Sequence, residues 1–145
     1  MNASGGTITI PSINQTRLAL LDAAAAQDVD IVFQVQTDIL ASGVDEYAYF
    51  LSRHVSPNTE YRGQIRFDPK RNILVRAVRI NNGISTALGS DTKVAGVTHA
   101  VNTYIWVHAQ IVGTNPTTIR IKVWADDQAE PATWQYSVTD SAASL

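Results

Sequence analysis

The stretch "YIWVHAQIV" (104–112) places Tyr104, Trp106, His108 and Gln110 at every second position. On an extended chain, side chains two apart leave the backbone on the same side, so these four share one surface. An indole face suits the C–H face of a pyranose ring, while an imidazole and a carboxamide add directional hydrogen bonds. Together they have the chemistry of a shallow platform for a hydroxyl-rich ligand. The same spacing offers Arg62, Gln64 and Arg66 in "EYRGQIRF", and Arg120 and Lys122 in "IRIKVW". If these strands are neighbours, the arginines extend the platform. If they are not, each belongs to an ordinary solvated face with cross-strand pairs. Trp106 is the first candidate for ligand contact and His108 its companion, although a subunit contact would cover an outward indole equally well.

Other chemistry is weakly represented. Asp28 and Asp30 lie two apart on one side of a strand, and oxygen clusters at sheet edges can hold calcium; Asp126 and Asp127 are a comparable pair. Neither pair sits in a D-x-D-x-D-G loop. His54, His99 and His108 have no H-x-H or H-E-x-x-H spacing, which argues against zinc. Glycoside hydrolysis needs two carboxylates held across a sugar bond, and the only glutamates, Glu46, Glu60 and Glu130, form no E-x-D-x-E pattern. No G-x-S-x-G or phosphate-cradling glycine loop is present. The expectation is a protein that is not an enzyme and requires no cofactor, with calcium as the one candidate ion. Trp124 and Trp134 flank the connection "ADDQAEPA", where a packing role outweighs sugar stacking.

The elements that carry these residues are read from a period of two. In "DVDIVFQVQTD", Val29, Ile31, Phe33, Val35 and Thr37 face one way, and Asp30, Gln34 and Gln36 the other, with Val32 as the exception. Tyr61, Gly63, Ile65 and Phe67 oppose the arginines of "EYRGQIRF". Ile73, Val75 and Ala77 share a face in "NILVRAV". Ile105, Val107, Ala109 and Ile111 back the Trp106 face, and Ile119, Ile121 and Val123 back Arg120, Lys122 and Trp124. Such alternation is that of antiparallel strands with one wet face. Turn chemistry separates them at "SPN" (56–58), "DPKRN" (68–72), "NNG" (81–83) and "GTNPT" (113–117), with "RINNGIS" the best hairpin. The helix-like "LALLDAAAAQ" (18–27) is short and poorly capped, and reads as a strand end followed by a turn. The fold class expected is all-β, an antiparallel sandwich formed by residues 1–145 as one domain.

Composition narrows the classes further. With 45% hydrophobic and 17% charged residues, the chain has too much apolar content for disorder and enough to bury one core. No apolar run approaches the roughly 20 residues of a membrane-spanning helix, and the first residues lack the basic start and apolar stretch of a signal peptide. A net charge of −2 argues against nucleic acid as a partner. The absence of cysteine removes disulfides and thiolate metal sites. Eight of the eleven basic residues are arginine, which favours planar, bidentate contacts.

The run "YIWVHAQIVGTNPTTIRIKVWADDQAEPATWQYSVTDSAASL", with "DVDIVFQVQTD", "YRGQIRF" and "TALGSDTKVAGVTHA", resembles a concanavalin-like, laminin-G-like β-sandwich module. Such modules recur in secreted actinobacterial proteins and in minor tail proteins of phages that infect actinobacteria. The sharpest part of the resemblance runs from Gly113 through Trp124 to Glu130, Pro131 and Trp134. It implies a jelly-roll winding and an extracellular or virion-surface setting. Two features depart from the pattern. An aromatic and an imidazole stand where the family carries a basic residue on the strand of Trp106 and His108, and the family's last strands, which would follow Leu145, are absent here. A sandwich stopped there leaves open edges that invite a neighbouring chain, so a homo-oligomer or an adjoining assembly subunit is expected. The function expected is non-catalytic, lectin-like recognition of a cell-surface polysaccharide in a phage tail or secreted bacterial assembly. The alternative is a structural virion or assembly subunit that makes protein contacts through open sheet edges.

Overall fold

Where polar and apolar residues alternate, the chain runs extended and turns its apolar side chains inward. The computed structural model describes residues 6–12, 14–20, 26–56, 58–142 and 145. Its eight strands are β1 (Val29–Val35), β2 (Glu46–Ser56), β3 (Thr59–Phe67), β4 (Asn72–Asn81), β5 (Ile84–Thr98), β6 (Ile105–Val112), β7 (Thr117–Ala125) and β8 (Tyr136–Asp140). They form two antiparallel four-stranded sheets, ordered β1-β6-β7-β8 and β2-β3-β4-β5. The protein is thus an all-β sandwich, as expected. Its strand order is a meander of β2 to β5, a second meander of β6 to β8, and β1 laid beside β6; a jelly roll adds a double Greek-key winding to such pairings.

The hairpin at "NNG" forms as its sequence requires. Asn82 and Gly83 take φ of 48° and 80° between the paired residues Asn81 and Ile84. Positive φ at both centres matches the right-handed twist of the flanking strands, and Asn and Gly tolerate it best. β5 was not evident from alternation because it is irregular: its pairing with β4 shifts register twice, near Gly89 and Gly96, which take φ of 81° and 76°. Pro57 of "SPN" and residues 21–25 of the helix-like segment lie outside the described residues. Residues 18–20, 26 and 27 form no regular element.

The core lies between the sheets. Ile65, Phe67, Ile73, Val75 and Ala77 of one sheet meet Val107, Ala109, Ile111, Ile119, Ile121 and Val123 of the other, all almost completely buried. The sheets approach most closely where β4 and β5 cross β7 and β8. On the opposite side the free edges, β1 and β2, part around a cleft, and the inward Val29, Ile31, Phe33 and Val35 are only half-buried. Phe33 and Phe50 meet edge to face there, 6.2 Å between ring centres.

Two polar clamps tie the sheets together. Arg53 sits at an irregular step of β2 with φ of 49°, and its guanidinium donates to Gln27 O (2.7 Å), Thr117 Oγ1 (2.8 Å) and Gly113 O (2.6 Å). Elsewhere Asp140 of β8 accepts from Tyr61 Oη of β3 (2.9 Å) and from Arg79 of β4 (2.8 Å). Both satisfy buried charge with directional partners from the opposite sheet, which fixes how one sheet sits on the other.

Candidate functional site

The outer face of the β1-β6-β7-β8 sheet is set by register. Across β1, β6 and β7 the outward side chains fall into three rows: Asp30, Gln110 and Arg120; Val32, His108 and Lys122; Gln34, Trp106 and Trp124. The connection from β7 to β8 then folds back over this face and brings Asp126, Glu130 and Trp134 to it. All three tryptophans of the chain therefore meet on one outward surface.

Trp106 and Trp124 are a directly opposed cross-strand pair, stacked at 6.1 Å with their planes 10° apart. Trp124 is the inner member and is buried, while Trp106 lies half-exposed above it. Asp126, at the first turn of the connection, accepts from Trp106 Nε1 (2.8 Å) and Gln34 Nε2 (2.6 Å) with the same Oδ1. The break after Trp124 thus carries an aspartate that fixes the indole of the neighbouring strand. Trp134 returns to stand edge-on to the His108 ring (4.8 Å, 62°), with Lys122 Nζ 4.6 Å from its centre. Gln135 beside it takes the place of a strand residue: its amide donates to Val123 O (3.0 Å) and its Oε1 accepts from Val123 N (2.8 Å).

His108 lies between two carboxylates. Nε2 is 2.7 Å from Asp30 Oδ1 and Nδ1 is 2.7 Å from Glu130 Oε1. Ionised carboxylates only accept, so both contacts are hydrogen bonds when both ring nitrogens carry a proton. Lys122 Nζ also donates to Glu130 Oε1 (2.9 Å). The hydrogen bonds from His108 and then Lys122 hold the Glu130 carboxyl below its ordinary range. Gln110 continues the chain, donating to Asp30 (3.1 Å) and accepting from Arg120 (3.2 Å). His108 and Lys122 are consequently engaged by carboxylates, while Arg120 has a single acceptor, Gln110 Oε1, among the described residues. The second oxygens of Glu130 and Asp126 accept no hydrogen bond among the described residues and point the free capacity of the face toward donors.

The sequence-derived candidates divide. Trp106, His108, Gln110 and Arg120 come together here, with Lys122. Arg62 and Arg66 do not, because β3 belongs to the other sheet and its outward side chains lie on the far side of the sandwich. There Arg62 pairs with the fully buried Glu60, which also meets His54, and Arg66 bridges Asp45 (3.6 Å) and Asp91 (3.0 Å). Tyr104 is exposed just before β6, beyond the paired rows. The calcium pair separates as well. Asp28 accepts from Gly113 N (3.0 Å) and faces Arg53 (3.5 Å), whereas Asp30 is turned to His108 and Gln110. Among the described residues no three His, Asp or Glu converge on one point as a metal would need; Asp30 and Glu130 occupy opposite ends of the imidazole ring. Glu130 and Gln34 join the face with no signal of their own as ligand contacts, while Asp126, by sequence a weak calcium candidate, and Trp134, by sequence a packing anchor, serve it as hydrogen-bonding and aromatic members. Asp126, Glu130 and Trp134 arrive through the "ADDQAEPATW" connection, whose path no periodicity gives, whereas alternation places Gln34 on the outward face of its strand.

No family model matches this chain, and neither a curated protein nor a solved structure does.

Proposed function

We propose that this chain is a non-catalytic carbohydrate-recognition module, similar to concanavalin-like sandwiches, that holds a cell-surface polysaccharide on the outer face of β1, β6 and β7. Its setting is extracellular or on a virion surface, in a phage tail or secreted bacterial assembly. The observation that carries the reading is the gathering of all three tryptophans on a solvent-facing sheet beside fixed hydrogen-bonding groups. The core between the sheets is filled without these indoles, and Trp106 and Trp134 keep part of their surface open to solvent, where sugar rings can stack.

The charges narrow the ligand. His108 and Lys122 are held by Asp30 and Glu130, and beside Trp106 and Trp134 the free capacity lies on the carboxylate oxygens of Glu130 and Asp126, with Arg120 two rows away from Trp106. A neutral, hydroxyl-donating glycan fits that arrangement better than a uronic or sialic acid, whose carboxylate would face Glu130 and Asp126. Trp106 and Trp134 supply the stacking surfaces, and Gln34, Glu130 and Asp126 the polar contacts. A shallow site of this kind binds at about mM to μM per copy and gains avidity from repetition.

The test is a polysaccharide array followed by titration calorimetry with Trp106→Ala and Trp134→Ala. Retention of neutral glycans by the parent chain, and loss of at least about tenfold in affinity in each variant with an unchanged far-UV spectrum, is expected. Failure of the parent chain to bind any glycan surface, or retention undiminished in both variants, overturns the reading.

A further inference from the structure

The open side of the sandwich is separate from the tryptophan face and independent of the glycan reading. β1 and β2 are both edge strands, stacked over one another where Phe33 meets Phe50. An edge strand presents unpaired N–H and C=O groups along its length, and here the half-buried Ile31, Phe33 and Val35 line a cleft beneath that edge. The same cleft is lined by residues 7–10 of the chain, "TITI".

That segment has the composition of a strand. It is β-branched throughout, carries no charge, alternates Thr with Ile, and is followed by Pro11, which ends pairing. Its alternation suits a place at the rim of this sandwich, where an added strand turns one face to the apolar interior and the other to water. Yet within one chain it forms no ladder among the described residues, and Ile8 and Ile10 remain 57% and 52% exposed although they lie at the mouth of the cleft. A single chain thus holds an unfilled edge and an unused strand together.

We propose that residues 7–10 of a second copy add a strand to the free edge of β1, turning Ile8 and Ile10 into the cleft over Phe33 and Phe50. Because each copy has one β1 edge beside the cleft and one such segment, reciprocal exchange closes a two-fold dimer and leaves the tryptophan face of each copy outward.

The chain has no cysteine, so introduced thiols report the contact without background. Chains carrying T9C are mixed with chains carrying V32C or Q36C, whose side chains leave β1 and its continuation on the outer face as the threonines would. On oxidation a disulfide-linked pair of unlike chains is expected, and a T9C/V32C double variant should link into dimers. An internal disulfide in a monomer instead means that the segment docks on its own chain, and overturns the proposal. Light scattering over a dilution series gives the second arm. The parent chain should be a dimer, and I8K/I10K, with its sheet spectrum unchanged, should dissociate at a concentration at least roughly a hundredfold higher, as expected for removing two buried isoleucines. A parent chain that is monomeric throughout, or an I8K/I10K dimer of equal affinity, overturns it.

Discussion

Phe50 and Gly63 face one another across the β2–β3 ladder, and the ring of Phe50 fills the space where a Cβ on Gly63 would stand. Glycine at that position is therefore a steric requirement of the core rather than a turn signal. It lets an aromatic from the edge strand reach across its neighbour and floor the open side of the sandwich.

Gly63→Ala should accordingly destabilise by about 2–3 kcal/mol, since a methyl in a filled core forces the ring off its rotamer. Phe50→Ala should cost about 3–5 kcal/mol by leaving a cavity. The double variant should cost less than the sum, because the added methyl then enters space the ring has vacated. Urea midpoints at constant m-value measure all three, and simple additivity would refute the contact.

Arg53 joins β2 to the opposite sheet by three hydrogen bonds, and its side chain is almost wholly buried. Arg53→Lys keeps the charge but cannot reach three divergent acceptors from one ammonium, so a loss of about 2–4 kcal/mol is expected. Asp28→Ala should cost only about 1 kcal/mol by comparison, chiefly for the lost bond from Gly113 N–H (3.0 Å), its contact with Arg53 being long and exposed. Equal losses in thermal or urea unfolding would mean that the ion pair, not the carbonyl bonds, is the clamp.

Gln135→Ala leaves both main-chain groups of Val123 without their side-chain partner. A loss of about 1–2 kcal/mol is expected. The direct readout is hydrogen exchange at the Val123 amide, which should quicken relative to that of Ile121, an unchanged protection factor counting against the assignment.

Acid should weaken the fold in two stages. Burial, then the nearby Arg71, pushes the His99 imidazole below its ordinary 6.5, where it contacts Thr37 Oγ1 and packs at a tilt of 33° against Phe67. The unfolded chain takes up that proton first, so stability present above about pH 6.5 declines as pH falls toward the folded value. His99→Gln should flatten this upper stage.

The lower stage belongs to carboxyls held below their ordinary values of 4.5 for Glu130 and 3.8 for Asp140. At Asp140 burial acts upward but is outweighed by Ala142 N–H, Tyr61 and Arg79. Their contribution is full above those ordinary values and is lost as pH falls through the folded ones. Glu46, raised by burial and Asp38, works in the opposite sense. Melting temperatures from pH 8 to 2.5 should show a shallower low-pH slope in Glu130→Gln, and a slope as steep as the parent's would contradict the His108 and Lys122 contacts.

What the sequence by itself determined is what depends on neighbours one or two residues away. Period-two alternation identified the inward faces of β1, β3, β4, β6 and β7, and put Trp106, His108 and Gln110 on one surface. It identified the Asn82–Gly83 turn because only a few residue types accept its dihedrals. β2 and β5 escaped notice, since irregular register steps break the alternation in each. Only the tertiary structure decided which faces are joined. The pairing of β1 with β6 spans most of the chain, and it is what sets Asp30 against His108. The division into two sheets removed Arg62 and Arg66 from the tryptophan face, and the fold of the connection after Trp124 delivered Asp126, Glu130 and Trp134 to it. Alternation says only that a residue points up or down; which strands share a sheet is settled by the burial of both apolar faces at once, a sum over the whole chain that no local window contains.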